Sequence, residues 1–178
     1  SGDAGTGQPL ARRTAVSPAK IGHGVGDKRG DWSPGASVFL LDVNVLIALL
    51  DSMHTQHARA HAWFADTVTV WASCALTQNG FLRIVSHPRY TNPSASPGEA
   101  VPVLAEFCAR PDHRFWSDDV SLLDAAAVDA GRLLSTGQVA DSYLLALAVK
   151  HGARLATFDK RLVTSAVHGG EAARCVIE

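Results

Sequence analysis

Val38-Phe39-Leu40-Leu41-Asp42-Val43-Asn44-Val45-Leu46-Ile47-Ala48-Leu49-Leu50 is the stretch that decides the fold. Val38–Leu41 is apolar at every position, whereas a strand with one wet face alternates apolar and polar residues. A short continuous run of this kind predicts a parallel-sheet strand covered on both faces. Asp42 and Asn44 interrupt the run, and Val45–Leu50, apolar all round, predicts a buried helix. An ionised carboxylate at the edge of such a core is costly unless something offsets its charge. No lysine or arginine neighbours Asp42 in sequence.

Outward from this stretch the alternation continues. His54–Ala65 reads as a helix, Val68–Trp71 as a strand and Cys74–Ser86 as a helix. His87–Gly98 is a loop marked by Pro88, Asn92-Pro93 and Ser96-Pro97-Gly98. Glu99–Arg110 reads as a helix with Pro102 in its first turn, and Arg114–Trp116 as a strand. Ser121-Leu-Leu-Asp124 resembles a capping box and predicts a helix to about Ser135, ended by Gly137. Val139–His151 is the next helix, with Gly152 as its C-cap. Arg154–Phe158 is a strand, Lys160–Val163 a helical turn and Ala173–Ile177 a final strand. Strands alternating with helices imply an α/β domain: a mainly parallel central sheet flanked by helices on both faces.

In such a sheet the functional crevice lies beyond the carboxyl ends of the strands. Asp42 and Asp159 stand at two such ends. Asp141 stands in the first turn of a helix, on the stripe of Leu145 and Ala148. Taken singly, each has an ordinary role. Asp42 and Asn44 suit helix caps, Asp141 suits a helix dipole, and Asp159 suits a turn flanked by Lys160 and Arg161. Taken together, three carboxylates around one crevice call for a hard divalent cation, Mg²⁺ or Mn²⁺. The reaction that follows is phosphodiester hydrolysis.

The remaining features bound the reading. A chain of 178 residues is long enough for one domain with a sizeable core. Residues 1–37 hold 8 of the 15 glycines, carry a net charge of +2 and lack any apolar period, so they read as a disordered or expression-derived tail. The only methionine is Met53, and Val38 is a natural start if a valine codon initiates. Residues 38–178 carry −3, which argues against a protein that coats polyanions. A local basic rim remains: Arg83, Arg89, Arg114, Lys160 and Arg161 become phosphate grips only if they converge in space.

Cys74, Cys108 and Cys175 are odd in number with no CxxC, which predicts free thiols in a reducing cytoplasm. There is no signal segment and no run of 18 apolar residues, so no membrane span is expected. His54, His57 and His61 share a helix face but lack a nearby fourth ligand for zinc, and read as surface histidines. Asp118 and Asp119 read as serving a helix start, and Asp124 and Asp129 as solvated helix positions. Gly22-His-Gly24-Val-Gly26 follows no strand and is no nucleotide motif.

Leu-Leu-Asp42-Val-Asn44-Val-Leu-Ile, then Val-Ala-Asp141-Ser-Tyr-Leu-Leu-Ala, then Leu-Ala-Thr157-Phe-Asp159 resemble, in this order, the PIN-domain ribonucleases. Within them they look like the VapC toxins of bacterial VapBC toxin–antitoxin modules. His54-x-x-His57, Thr77…Gly80-Phe81-Leu82-Arg83 and Phe115-Trp116-Ser-Asp-Asp119 are similar to one subgroup. The resemblance covers residues 38–178 and implies a PIN-like three-layer fold and a magnesium-dependent endoribonuclease. It implies a homodimer, a tRNA or rRNA substrate, and a cognate VapB-type antitoxin that inserts a C-terminal segment into the acidic groove. On this reading Asp42 and Asp141 bind Mg²⁺ (or Mn²⁺), Asp159 acts from the second coordination shell, Asn44 orients Asp42, and Arg83 contacts substrate.

One departure stands out. Many members carry a glutamate on the helix that here reads Thr77-Gln78-Asn79-Gly80-Phe81, where Gln78 or Asn79 would have to orient water in its place. One metal rather than two is expected. The alternatives are a non-catalytic PIN-like module that binds RNA or antitoxin, and an aspartyl-phosphate phosphatase. The phosphatase needs a second acid two residues after its nucleophile, where Asn44 stands.

Overall fold

The computed structural model describes residues 37–94 and 96–178. The reading of residues 1–37 as a tail therefore falls, but for Ser37, outside the described residues. Five strands, β1 Val38–Leu41, β2 Val70–Cys74, β3 His113–Trp116, β4 Arg154–Thr157 and β5 Arg174–Val176, form one sheet in the order β3-β2-β1-β4-β5. Every pairing is parallel, with Leu40 opposite Ala72 on one side and Leu155 on the other. The chain winds outward from β1 through β2 to β3, then returns to the other side of β1 for β4 and β5. The gap between the ends of β1 and β4 is thus the point where the strand order reverses, where α/β sheets bind ligands.

Among the described residues six α-helices accompany the sheet: α1 Val43–Leu50, α2 His57–Thr67, α3 Ala75–Val85, α4 Pro97–Cys108, α5 Gln138–Lys150 and α6 Gly170–Ala173. The continuous apolar run of β1 has its expected cause. Val38 and Leu40 pack into a core with α5 residues Leu144, Leu145 and Leu147. Phe39 and Leu41 pack into a second core with α1 residues Val45–Leu49, Trp71 and α3 residues Phe81 and Val85. Helices on both faces make three layers. Helix α5 ends as read from Gly152, whose φ of +61° is left-handed. Ala153 N donates to Ala148 O and Gly152 N to Val149 O, a Schellman closure.

The expected helix from Ser121 to Ser135 does not form. Its capping residues turn inward on their own backbone: Ser121 Oγ accepts from Leu123 N, Asp124 Oδ1 from Ala126 N and Asp129 Oδ1 from Gly131 N. Such local bonds compete with a helix. Asp129 N donates to Ala166 O and Val128 bridges Val167, which leaves a single 3-10 turn at Ala130–Arg132. Leu122 and Leu133 pack only at the margin of the core, and Leu123 is 95% exposed. Smaller corrections follow from local bonds. Helix α4 begins at Pro97 under a Ser96 cap, so Pro102 lies in its second turn. Lys160 and Arg161 form a turn rather than helix, and α6 precedes the last strand.

Candidate active site

Asp42 ends β1 and caps α1. Its Oδ1 accepts from Val43 N at 2.7 Å. Its Oδ2 accepts from Asn44 Nδ2 at 2.8 Å and from Thr157 Oγ1 at 2.7 Å. Thr157 ends β4, so this last bond closes the gap between the two strand ends. The hydroxyl has no spare capacity: it also accepts from Asn44 Nδ2 at 3.0 Å and from Asp159 N at 3.0 Å. Asn44 Oδ1 accepts from Phe158 N at 3.3 Å. Asn44 orients Asp42 and fastens the start of α1 to the residues after β4.

Thr157 is the residue that reading the sequence missed. A β-branched threonine at the end of a strand reads as strand propensity. The available signal was position: Thr157 stands two residues before Asp159 as Asn44 stands two after Asp42.

The three acids are mutually close in the electrostatic sense. Asp42 is 9% exposed, and burial pushes its carboxyl above the ordinary range. The Thr157 and Val43 donors pull it back, and the charges of Asp141 and Asp159 push it up again, with a net rise. Burial also raises Asp141, and the charge of Asp159 adds to it. Asp159 caps its own turn, with Oδ1 accepting from Arg161 N at 2.8 Å. Lys160 and Arg161 do not neutralise it: among the described residues none of the three acids has a cationic partner within ion-pair distance.

Other candidates sort themselves away from the crevice. Gln78 Nε2 donates to Ser73 Oγ at 2.9 Å and approaches Cys108 Sγ, so it does not stand in for the family's glutamate. Asn79 is exposed on α3. Asp118 accepts from Tyr143 Oη at 2.9 Å, and Asp119 pairs with Lys150 at 3.4 Å and His151 at 3.3 Å. Neither opens a helix. His57 and His61 are no zinc site: their rings bond Ala48 O at 2.8 Å and Leu49 O at 2.9 Å, the last carbonyls of α1. The three cysteines are free. No helix among the described residues is long and apolar enough to cross a membrane.

The donors at the crevice are hard carboxylate oxygens, which match Mg²⁺ or Mn²⁺. Among the described residues no group of three or more His, Cys, Asp or Glu could hold an ion by side chains alone. The fit is therefore to a cation that takes one or two carboxylates and keeps several waters, as Mg²⁺ does.

Comparison with known proteins agrees with this geometry. The PIN domain family matches residues 39–166. The chain is 51% identical over 131 residues to ribonuclease VapC44 of Mycobacterium tuberculosis, which covers 73% of this chain and 92% of that protein. It is 40% identical over 131 residues to ribonuclease VapC39 of the same organism, covering 73% and 94%. The crystal structure of M. tuberculosis VapC20, described as a sarcin-ricin loop cleaving toxin, superposes with a TM-score of 0.52. That match covers 73% of this chain and 96% of the other at 15% sequence identity, a likeness of fold. With a family match over most of its described length and a relative half identical across nearly all of its own, this chain belongs to the PIN-domain family, among the VapC ribonucleases.

Proposed function

We propose that this chain is an endoribonuclease toxin that hydrolyses RNA at the crevice between β1 and β4, using a divalent cation held by Asp42 and Asp141. The observation that carries the reading is the setting of Asp42. A carboxylate has about four acceptor positions, and Asp42 uses three of them on Val43, Asn44 and Thr157. It is thereby fixed in direction, held at a strand end, and made costly by two neighbouring acids. A bound cation would relieve that cost.

When bound, the cation lowers the pKa of water and stabilises charge on the phosphoryl oxygens. The chain's own residues supply the rest. Thr157 and Asn44 hold the Asp42 carboxylate still. Asp141 supplies the second carboxylate. Asp159, fixed by Arg161 N and through its own amide by Thr157, would act from the second coordination shell, its other oxygen left to accept a hydrogen bond from water. With Gln78 turned toward Ser73, three acids rather than four face the crevice, which favours one metal.

An acidic crevice at a strand end admits a single-stranded loop more readily than an undistorted duplex, so a loop of a folded RNA, transfer or ribosomal, is the proposed substrate. The proposed protein partners are a VapB-type antitoxin, whose inhibitory segment would have to be basic to enter this groove, and a second copy in a homodimer.

The test is cleavage of total RNA with Mg²⁺, with Mn²⁺ and with chelator, followed by mapping of 5′ ends for wild type, Asp42→Asn and Asp141→Asn. Defined ends that need metal and vanish in both variants support the reading. Cleavage that survives chelation or both substitutions sinks it. Absence of cleavage with either metal would instead leave the non-catalytic module, which the missing fourth acid favours.

A further inference from the structure

The folded part is mildly acidic, yet one of its cavities has two arginines in its lining. Arg83, Ile84, His87, Arg89 and Tyr90 line about 300 Å³ where α3 runs into the following loop. Of the five cations that the sequence offered as phosphate grips, only Arg83 and Arg89 converge there. Arg114 is occupied, donating to the carbonyls of Pro111 and His113. Two tight turns fold the loop back, with His87 N on Ile84 O at 3.0 Å and Tyr90 N on His87 O at 2.8 Å.

The walls are fixed rather than floppy. Tyr90 Oη donates to the buried Asp51 Oδ2 at 2.5 Å, and Asn92 Nδ2 donates to Asp51 Oδ1 at 3.1 Å. His87 Nδ1 accepts from Arg89 N at 3.1 Å, which sets the tautomer and leaves Nε2–H as a donor. Arg110, Arg132, Lys150 and Arg174 all have carboxylate partners, but among the described residues Arg83 and Arg89 form no ion pair. Two unpaired guanidiniums at one cavity repel each other until an anion arrives. Their planar forks match a phosphate, and Tyr90 offers the aromatic surface on which single-stranded bases stack.

Position ties the cavity to the crevice. Gly80, one turn before Arg83, is where α3 meets α1: a Cβ there would lie 2.7 Å from Val43 Cγ2, and Val43 follows Asp42. At the far end Tyr90 reaches Asp51, the C-cap of α1. The cavity thus lies near the C-terminal end of this eight-residue helix, roughly 12 Å along it from the Asp42 end at 1.5 Å per residue. One RNA strand can span that distance.

We propose that Arg83, His87, Arg89 and Tyr90 form a second RNA contact at the other end of α1 from the cleavage centre, holding a backbone phosphate between the guanidiniums and a neighbouring base against Tyr90. The proposal rests on the reading of the chain as a ribonuclease acting at the acid crevice. An acidic protein segment would satisfy the two charges but would leave the aromatic wall unused.

The test is fluorescence anisotropy of a single-stranded RNA of about ten nucleotides on the full chain, across a salt series, in two non-cleaving backgrounds: wild type in chelator and Asp42→Asn. The double variant R83A/R89A should bind about tenfold more weakly. Its slope of log K against log salt should flatten by about 0.7, the share of the one single-strand phosphate held between the two guanidiniums. R83K/R89K should keep the slope and lose part of the affinity, because charge survives and the fork does not. Both side chains are exposed, and an unchanged unfolding midpoint verifies the fold.

Unchanged affinity and slope in R83A/R89A overturn the proposal. So does retained RNA binding with loss of poly-glutamate binding, which would assign the cavity to an acidic protein. The two readings fail separately. Wild type that does not cleave RNA with Mg²⁺ or Mn²⁺ sinks the ribonuclease reading, whereas cleavage with an unaltered salt slope sinks only the second contact.

Discussion

Asp42 and Asp51 close opposite ends of the same helix, both buried at 9% and 2% exposure, and under the proposed function only Asp42 serves the reaction. Asp51 accepts from Met53 N at 2.9 Å, Tyr90 Oη at 2.5 Å and Asn92 Nδ2 at 3.1 Å. All three donors are neutral, and together they pin the loop after α3 to the end of α1. Asp42 also has three donors, but burial raises its carboxyl and the charges of two further acids, Asp141 and Asp159, add to the rise. Burial and hydrogen bonding are alike in the two. What differs is the company of other carboxylates, and that is what marks a site rather than a strut.

The comparison breaks most sharply under substitution. Asp42→Asn should remove RNA cleavage by on the order of 10³-fold or to background, comparable to losing a transition-state contact, while the chain still unfolds cooperatively. Asp51→Ala should leave cleavage per folded molecule close to wild type and lower stability by about 3 kcal/mol in denaturant titration, because buried donors lose their acceptor. An active Asp42→Asn, or an Asp51→Ala as stable as wild type, would erase the distinction. Thr157→Val probes the hub between the strand ends. It keeps the shape and removes the hydroxyl that aims Asp42, so metal affinity or activity should fall 10- to 100-fold, roughly. Thr157→Ser should restore most of it. A Thr157→Val variant as active as wild type, with the loss falling on Thr157→Ser instead, would mean that the methyl, not the hydroxyl, matters.

The parts legible in the sequence were those written in local pattern. β1, β4 and α5 could be read because a doubly covered strand and a buried helix leave unbroken apolar runs. The acids Asp42, Asp141 and Asp159 could be read because they stand where those runs stop. Thr157 and Asp51 were not legible, since each acquires its role from partners over thirty residues away: Thr157 on Asp42, Asp51 on Tyr90 and Asn92. The segment after Asp119 misled for a physical reason. Ser121, Asp124 and Asp129 are good helix caps and equally good turn formers, and the bridge of Val128 to Val167 decided between the two. The convergence of Arg83 with Arg89 depended on a loop whose path no period encodes.

The finest test of the contrast is the dependence of stability on pH and metal. Asp42 and Asp141 have carboxyl pKa values raised in the folded chain. As pH rises through the ordinary carboxylate range the unfolded chain releases these protons first, so the folded state holds more protons and loses relative stability. Their contribution is thus present at low pH and lost as pH climbs through the folded values. Asp112 runs the other way: burial pushes its carboxyl up, but the Arg110 guanidinium pulls it below the ordinary range, so its stabilisation is lost as pH falls. Proton linkage alone mixes the two signs, and Mg²⁺ separates them. At neutral pH the ion should raise the unfolding midpoint, by about 2.7 kcal/mol of stability at a hundred times its Kd. As pH falls through the raised carboxyl values the increment should shrink, because protons then compete with the ion for the same oxygens. Asp141→Asn should be more stable than wild type without metal at neutral pH and should gain little from Mg²⁺. If it is instead destabilised, and still responds to Mg²⁺ like wild type, then Asp141 belongs with Asp51 as a structural acid and the cation is held elsewhere.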